Sequence, residues 1–252
     1  MDKAQTDRAR KAGRRAGRRP SAAEPTKPPI RAVVFDLDDT LIATRRLYTE
    51  AYLRVLEPHH GRRLSLAELA GMRPGPETAF IPSAVGAEAA ADSLQAFYDW
   101  YEALHPEAFD GLYPGVPEML AALAAEGLRI GVFTGKSRRA WDISSRHVDL
   151  PGVAAWVFGD EIARHKPAPD GVLKALELLG VPAAETAYVG DSLLDIAAAE
   201  AAGVLPVAAL WSRTDEDGDA LAAAARAAGG VAVSEPWDLV ARLSPSPSPP
   251  GR

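Results

Sequence analysis

The sequence predicts an α/β fold, a three-layer parallel sheet of Rossmann-like type interrupted early by a small helical insert. Three observations carry this reading. Short apolar runs of strand length recur with amphipathic helical patterns between them, an alternation that yields a parallel sheet covered on both faces. The rhythm fails between about residues 44 and 112, where only helical patterns occur. Acids, hydroxyls and lysines follow several of the apolar runs directly, and open parallel sheets bind ligands beyond the carboxyl ends of their strands.

In chain order, residues 1–29 come first, with nine Lys/Arg against three acids. Their net +6 leaves −12 on residues 30–252, so the overall −6 averages a basic arm and an acidic body. The arm has no apolar periodicity and closes on Pro25, Pro28 and Pro29, which predicts a disordered, solvated extension. A charge run this short requires no partner, and nucleic acid is not expected as one. It lacks the apolar core of a secretory signal, which favours the cytoplasm. The strand-like runs are Ile30–Phe35, Leu128–Phe133, Ala155–Phe158, Thr186–Val189, Val204–Leu210 and Gly230–Val233. Helical patterns cover Pro117–Glu126, Arg138–Arg146, Asp170–Leu179, Leu193–Ala202 and Asp219–Ala228. Within the insert, Arg46–Leu56, Ser65–Ala70 and Ala87–Leu104 read as helices, punctuated by Pro58-His-His-Gly61 and Arg73-Pro-Gly-Pro76 as turns. Asp215–Asp219 reads as a polar loop ending in a helix cap. The expected organisation is a sheet domain at 30–43 and 113–243, a helical domain at 44–112, and a Pro/Ser tail at 244–252.

Composition excludes several chemistries. With 252 residues and 47% hydrophobic content the chain can bury a core. Cysteine is absent, which removes disulfides, a thiolate nucleophile and any sulfur-ligated zinc. No apolar run is long enough for a membrane-spanning helix, so no membrane partner is expected.

The strand ends carry the chemistry. Asp36-Leu-Asp38-Asp-Thr40 follows the first run, Thr134-Gly135-Lys136-Ser137 the second, and Gly190-Asp191-Ser-Leu-Leu-Asp195 the fourth; His165-Lys166-Pro precedes the Asp170 helix. A carboxylate can attack phosphorus and form an acyl phosphate. A second carboxyl, Asp38, can protonate a leaving oxygen and later deprotonate water. Crowded carboxylates call for a hard cation, and oxygen-only ligands suit Mg²⁺; Asp36, Asp191 and Asp195 offer those oxygens. Thr134 and Lys166 can bind and neutralise phosphoryl oxygens, with backbone N–H groups near Leu37 and Gly135 completing an anion cradle. Three residues separate Gly131 from Gly135 where a nucleotide P-loop needs four, so that reading fails. Lys136 reads equally as a helix-start surface residue or as a contact near the phosphate. Ser192 is expected to cap the following helix.

Taken in order, these four segments resemble the motifs of the haloacid dehalogenase-like (HAD) phosphohydrolases, over roughly residues 30–235. The insert resembles that family's helical cap placed after the first motif. The resemblance implies Asp36 as nucleophile, Asp38 as general acid and base, Thr134 as a phosphoryl-binding residue and Lys166 as the residue that positions both. It implies Mg²⁺ held by the Asp36 carboxylate, the Asp38 backbone carbonyl and Asp191, with Asp195 contributing from behind or through water. An acid at position 38 implies phosphate chemistry rather than carbon–halogen cleavage, and the lack of lysine between Thr44 and Leu112 argues against phosphonate cleavage. The layout is most similar to the phosphoglycolate phosphatase-like branch, which implies a small phosphorylated metabolite as partner and a monomer or homodimer. Gly135, Arg45 and Arg73 are the expected substrate contacts, the arginines for a second anionic group. A phosphomutase or inorganic pyrophosphatase of the same superfamily, and a non-enzymatic binding protein using the basic arm, are the alternatives.

Overall fold

The structure is a computed structural model that describes residues 29–213 and 215–243. The basic arm up to residue 28 and the Pro/Ser tail lie outside the described residues. Six parallel strands form one sheet in the order β3-β2-β1-β4-β5-β6. They are β1 (Ala32–Phe35), β2 (Arg129–Phe133), β3 (Val153–Val157), β4 (Thr186–Gly190), β5 (Leu205–Ala209) and β6 (Val231–Val233). The chain builds outward from β1 to β3 and then returns to place β4 on the other side of β1. Strand order therefore reverses at β1, which opens a crevice at the carboxyl ends of β1 and β4.

Alternation along β1 shows how two faces are covered. Val33 and Phe35 pack with Met119 and Leu120 of α5 (Val116–Ala125) and with Leu239 of α10 (Pro236–Leu243). Ala32 and Val34 face the opposite way, against Val172 and Leu176 of α7 (Asp170–Leu179) and Ala198 of α8 (Leu193–Ala202). Side chains on a strand point alternately to its two sides, so a run apolar at every position must be buried on both.

Between β1 and α5 the chain makes four helices: α1 (Arg45–His60), α2 (Leu66–Gly71), α3 (Glu77–Val85) and α4 (Ala90–Ala108). Their own core gathers Leu47, Tyr52, Phe80, Phe97 and Tyr101, and continues onto Ala140 and Ile143 of α6 (Arg138–Ser144). The insert is thus seated on the helix that follows β2. Its two chain crossings run side by side: Ala43 donates to the Gly111 carbonyl at 2.8 Å and Tyr113 to that of Leu41 at 3.1 Å.

Several boundaries differ from the sequence reading. Helix α1 runs through Pro58 to His60, so His59 and His60 lie in a helical last turn, and His59 Nε2 meets Ser93 Oγ at 2.9 Å. Helix α3 was not expected; Pro76 stands at its N-cap and Pro82 within it, which hides its apolar period. Asp215–Asp219 lies in α9 (Asp215–Ala227) instead of a loop, and α10 is a further unexpected helix. Among the described residues no helix is long and apolar enough to cross a membrane.

Candidate active site

The chain leaves β1 through Asp36, whose N–H still donates to Val189 of β4 at 2.8 Å. It then turns tightly: the N–H groups of Leu41 and Ile42 both donate to the Leu37 carbonyl, at 2.8 and 3.0 Å. Asp39 sits at the bend with φ of 60°, in the left-handed region that Asp tolerates better than most residues. This geometry sends two acids of one short loop into different surroundings.

Asp36 enters an acidic cluster. One carboxylate oxygen each from Asp36, Asp191 and Asp195 lies within 4.8 Å of the others, and all three residues are buried. Lys166 bridges two of them, donating to Asp36 Oδ1 at 2.5 Å and to Asp195 Oδ1 at 2.7 Å. Its ammonium lies over the rings of Phe133 and Tyr188, at 4.8 and 5.5 Å from their centroids. Burial alone would lower the Lys166 pKa; the two acids outweigh it and hold the group above its ordinary value. Burial pushes the Asp36 carboxyl well up, and repulsion from Asp195 and Asp191 adds to this against the pull of Lys166. Asp191 is pushed up to about 6, by burial first and Asp195 second, with Arg213 pulling the other way.

Asp195 is held from all sides. Ser192 caps α8 in a reciprocal capping box: Ser192 N–H and Oγ donate to Asp195 Oδ2 at 3.0 and 2.5 Å, and Asp195 N–H returns to Ser192 Oγ at 3.3 Å. Tyr188 adds a 3.0 Å bond to Oδ1. A Cβ at Gly190 would lie 2.3 Å from Asp195 Cγ, so glycine is needed where the carboxylate crosses β4. Asp191 accepts from Thr40 Oγ1 at 3.3 Å and from the Arg213 guanidinium, whose Nε also donates to the Asp191 carbonyl at 2.7 Å.

This donor set fits a hard divalent cation. Three buried carboxylates converge where Lys166 reaches only Asp36 and Asp195 and Arg213 only Asp191, two of them are driven toward protonation by burial and mutual repulsion, and the oxygens are the kind Mg²⁺ takes. Both Asp195 oxygens already accept hydrogen bonds, which suits a supporting place better than a direct one.

Asp38 faces away from that cluster. Its Oδ1 accepts from Thr44 Oγ1 at 2.7 Å and pairs with Lys136 Nζ at 2.9 Å, while Oδ2 accepts from Thr134 Oγ1 at 3.3 Å. Thr134 ends β2, and its oxygen accepts from the Lys136 N–H at 3.0 Å. A cavity of about 330 Å³ connects the two surroundings, with Asp36, Asp38, Thr134, Gly135, Lys166 and Arg45 among its lining. Its other wall comes from the insert, including Tyr48, Tyr52, Leu69, Pro76 and Glu77.

Of the arginines expected at the substrate, Arg45 lines the cavity, half-exposed, with Nε 2.9 Å from Asp39 and a guanidinium nitrogen 4.0 Å from Asp191. Arg73 does not; it is exposed, at φ of 54°, and outside the cavity lining. Two features have no counterpart in the sequence reading, and a third decides between the two readings open for Lys136. Arg213 embraces Asp191 from the loop after β5. Glu77 is fully buried in the first turn of α3, accepting from the Ser137 N–H at 3.1 Å. Lys136 is buried rather than on the surface. Its position two residues past Thr134 was the available signal; Glu77 and Arg213 had none.

Comparison with known proteins follows the same lines. Residues 33–209 match the family described as haloacid dehalogenase-like hydrolase. A phosphoglycolate phosphatase of Cupriavidus necator is 33% identical over 189 residues, covering 70% of this chain and 79% of that protein. The pyrophosphatase PpaX of Bacillus mycoides is 29% identical over 184 residues, covering 73% and 85%. Among solved structures, CbbY from Rhodobacter sphaeroides in complex with phosphate superposes with a TM-score of 0.64 at 25% identity, over 71% of this chain and 86% of that one.

Proposed function

Because the chain belongs to the haloacid dehalogenase-like hydrolase family, we propose that it is a Mg²⁺-dependent phosphatase that hydrolyses a small phosphomonoester through a phospho-aspartyl intermediate on Asp36. One observation carries the reading: two acids of a single loop diverge, Asp36 into the cluster with Lys166, Asp191 and Asp195, Asp38 toward Thr134 and Lys136. That is the arrangement needed when one carboxylate attacks phosphorus and a different one handles protons.

In the first half, an Asp36 oxygen bonds to phosphorus as the ester P–O bond breaks, and the departing oxygen takes a proton from Asp38. In the second, a water oxygen bonds to phosphorus and gives its proton to Asp38, while the bond between phosphorus and Asp36 breaks. Both acids return to their starting state and free phosphate leaves. Thr134 and the backbone N–H groups around Leu37 and Gly135 hold the phosphoryl oxygens, and Lys166 offsets their charge. The Asp36 carboxylate, the Asp38 carbonyl and Asp191 would hold Mg²⁺, supported by Asp195; the cation supplies charge neutralisation at the phosphoryl group.

The substrate is read as phosphoglycolate-like. Relatives named for phosphoglycolate and for pyrophosphate support a small anionic phosphate compound, as does Arg45 at the cavity edge. The test is phosphate release from a panel containing phosphoglycolate, pyrophosphate and sugar phosphates, with Mg²⁺ and then with EDTA. Asp36→Asn should lose turnover by roughly a thousandfold or more, as expected when a covalent nucleophile is removed. Near-wild-type phosphatase activity in that variant would falsify the mechanism.

A further inference from the structure

Lys136 has no part in the reaction just described, yet its surroundings are among the most completely specified in the molecule. A lysine ammonium carries three N–H donors and no acceptor. Here Nζ meets three oxygens: Asp38 Oδ1 at 2.9 Å, Tyr101 OH at 2.6 Å and Tyr48 OH at 3.1 Å. Its side chain is completely buried, and Nζ also lies 4.3 and 4.8 Å from the ring centroids of Tyr48 and Tyr101. Burial of a lysine on this scale is costly unless every donor is matched.

The direction of each bond can be assigned by working inward from the far end. His105 Nδ1 lies 2.7 Å from the Tyr101 carbonyl, which can only accept, so that nitrogen carries the hydrogen. Burial lowers the His105 pKa to about 4, so near neutral pH the ring is uncharged and Nε2 accepts. Its partner at 3.1 Å, Ser144 Oγ, therefore donates, and accepts in turn from Tyr101 OH at 3.1 Å. Tyr101 thus has its oxygen free to accept from Lys136. On the second branch, Tyr48 accepts from Lys136 and donates to Glu77 Oε2 at 3.4 Å. Both branches run one way, outward from the ammonium, and the remaining N–H points at Asp38.

We propose that Lys136 is a positioning residue for the acid–base step: anchored by Tyr48 and Tyr101 of the insert, its ammonium fixes the Asp38 carboxyl at the cavity face where the leaving oxygen departs. This rests on the reaction proposed above. A role as receptor for a second anion of the substrate fits less well. All three donors are already engaged, and an incoming anion would have to displace Asp38 or a tyrosine.

The test compares kcat/KM for glycerol 3-phosphate, whose alkoxide must be protonated to leave, with that for p-nitrophenyl phosphate, whose leaving group needs no proton. General acid catalysis contributes about a hundredfold or more, so misplacing the acid should lower the alkyl-to-aryl ratio at least about tenfold in Lys136→Met. Tyr101→Phe, which keeps the ring and removes the acceptor, should lower it in the same direction. In an Asp38→Asn background, Lys136→Met should lower the ratio no further, because the acid it positions is gone. Equal losses for both esters, or a full additional loss in the Asp38→Asn background, would overturn the proposal. Should Lys136→Met fail to fold in thermal melts, an unchanged ratio in Tyr101→Phe overturns it equally. Failure of the underlying reaction would show separately, as retained turnover in Asp36→Asn.

Discussion

His105 lets the buried chain behind Lys136 be tested without any substrate. The perturbation is His105→Gln, followed by urea unfolding between pH 7.5 and pH 5 in the presence of EDTA. In the folded protein burial, together with the His147 ring stacked at 4.7 Å and the charge of Lys136, holds the His105 pKa near 4, below its ordinary 6.5, against the opposing effects of the Tyr101 carbonyl and Glu102. The unfolded chain therefore binds a proton at a pH where the folded one does not. Above about 6.5 the imidazole is neutral in both states and costs nothing. As the pH falls through 6.5 toward 4 the unfolded state gains protonation free energy that the native state lacks, and stability drops. At pH 5 the unfolded group is mostly charged and the folded one mostly neutral, a difference of roughly 2 kcal/mol. Glutamine has no such titration. It should be less stable than histidine at pH 7.5, by about 1–2 kcal/mol for lost packing and bonding. Relative to the parent it should then recover about 2 kcal/mol by pH 5, or roughly 1 M in urea midpoint. The raised carboxyls of Asp36, Asp191 and Glu77 act in the opposite sense, but they are common to both proteins and cancel in the difference. If the two stabilities stay parallel across this range, His105 is not a buried neutral acceptor, and the bond directions assigned to Ser144 and Tyr101 fall with it.

Three further outcomes follow from the acidic cluster. Removing divalent cations with EDTA should abolish phosphate release and Mg²⁺ should restore it. Mg²⁺ should also raise the melting temperature at pH 7.5, a response that Asp191→Asn should lose; a cation-dependent shift retained in that variant would argue against Asp191 as a ligand. Gly190→Ala would drive a methyl into Asp195, whose Cγ lies 2.3 Å from the required position. It should cost about 1–3 kcal/mol in thermal or urea unfolding and lower kcat by displacing the acid that holds Lys166. Unaltered stability and kcat would show that the β4 crossing tolerates a side chain.

The sheet and the positions of its acids were legible because the three strands that end at the site, β1, β2 and β4, are largely apolar runs that stop abruptly at a polar residue. Phe35 gives way to Asp36, Phe133 to Thr134, and the Val189-Gly190 pair to Asp191. Where that contrast is absent the reading faltered. Helix α3 carries a proline at its cap and another inside, and α9 begins with acids that resemble a loop. The two arginines of the insert looked alike as sequence. Arg45 opens α1 beside the returning chain and reaches Asp39, whereas Arg73 sits on an exposed turn at positive φ. Lys136 reads two ways in the sequence for a different reason. A lysine is buried only when enough acceptors surround it, and these come from the β1 loop, α1 and α4, all remote in sequence from Lys136. No local pattern encodes such a coincidence. Arg213 is the same kind of case, its partner Asp191 lying on another strand end.

The divergence of Asp36 and Asp38 has an evolutionary corollary. Among the described residues the side-chain hydrogen bonds to the first acid's cluster all come from the sheet domain, with Arg45 of the insert only at 4.0 Å from Asp191, whereas the second acid is steadied by a lysine whose other two contacts are tyrosines of the insert. In the reaction proposed above, substitutions at Tyr48 or Tyr101 would therefore retune proton delivery for a new leaving group while leaving the hydrogen bonds of the attacking acid in place. Selection can act on what departs independently of what is attacked, which is the separation a scaffold needs to serve many esters with one unchanging attack.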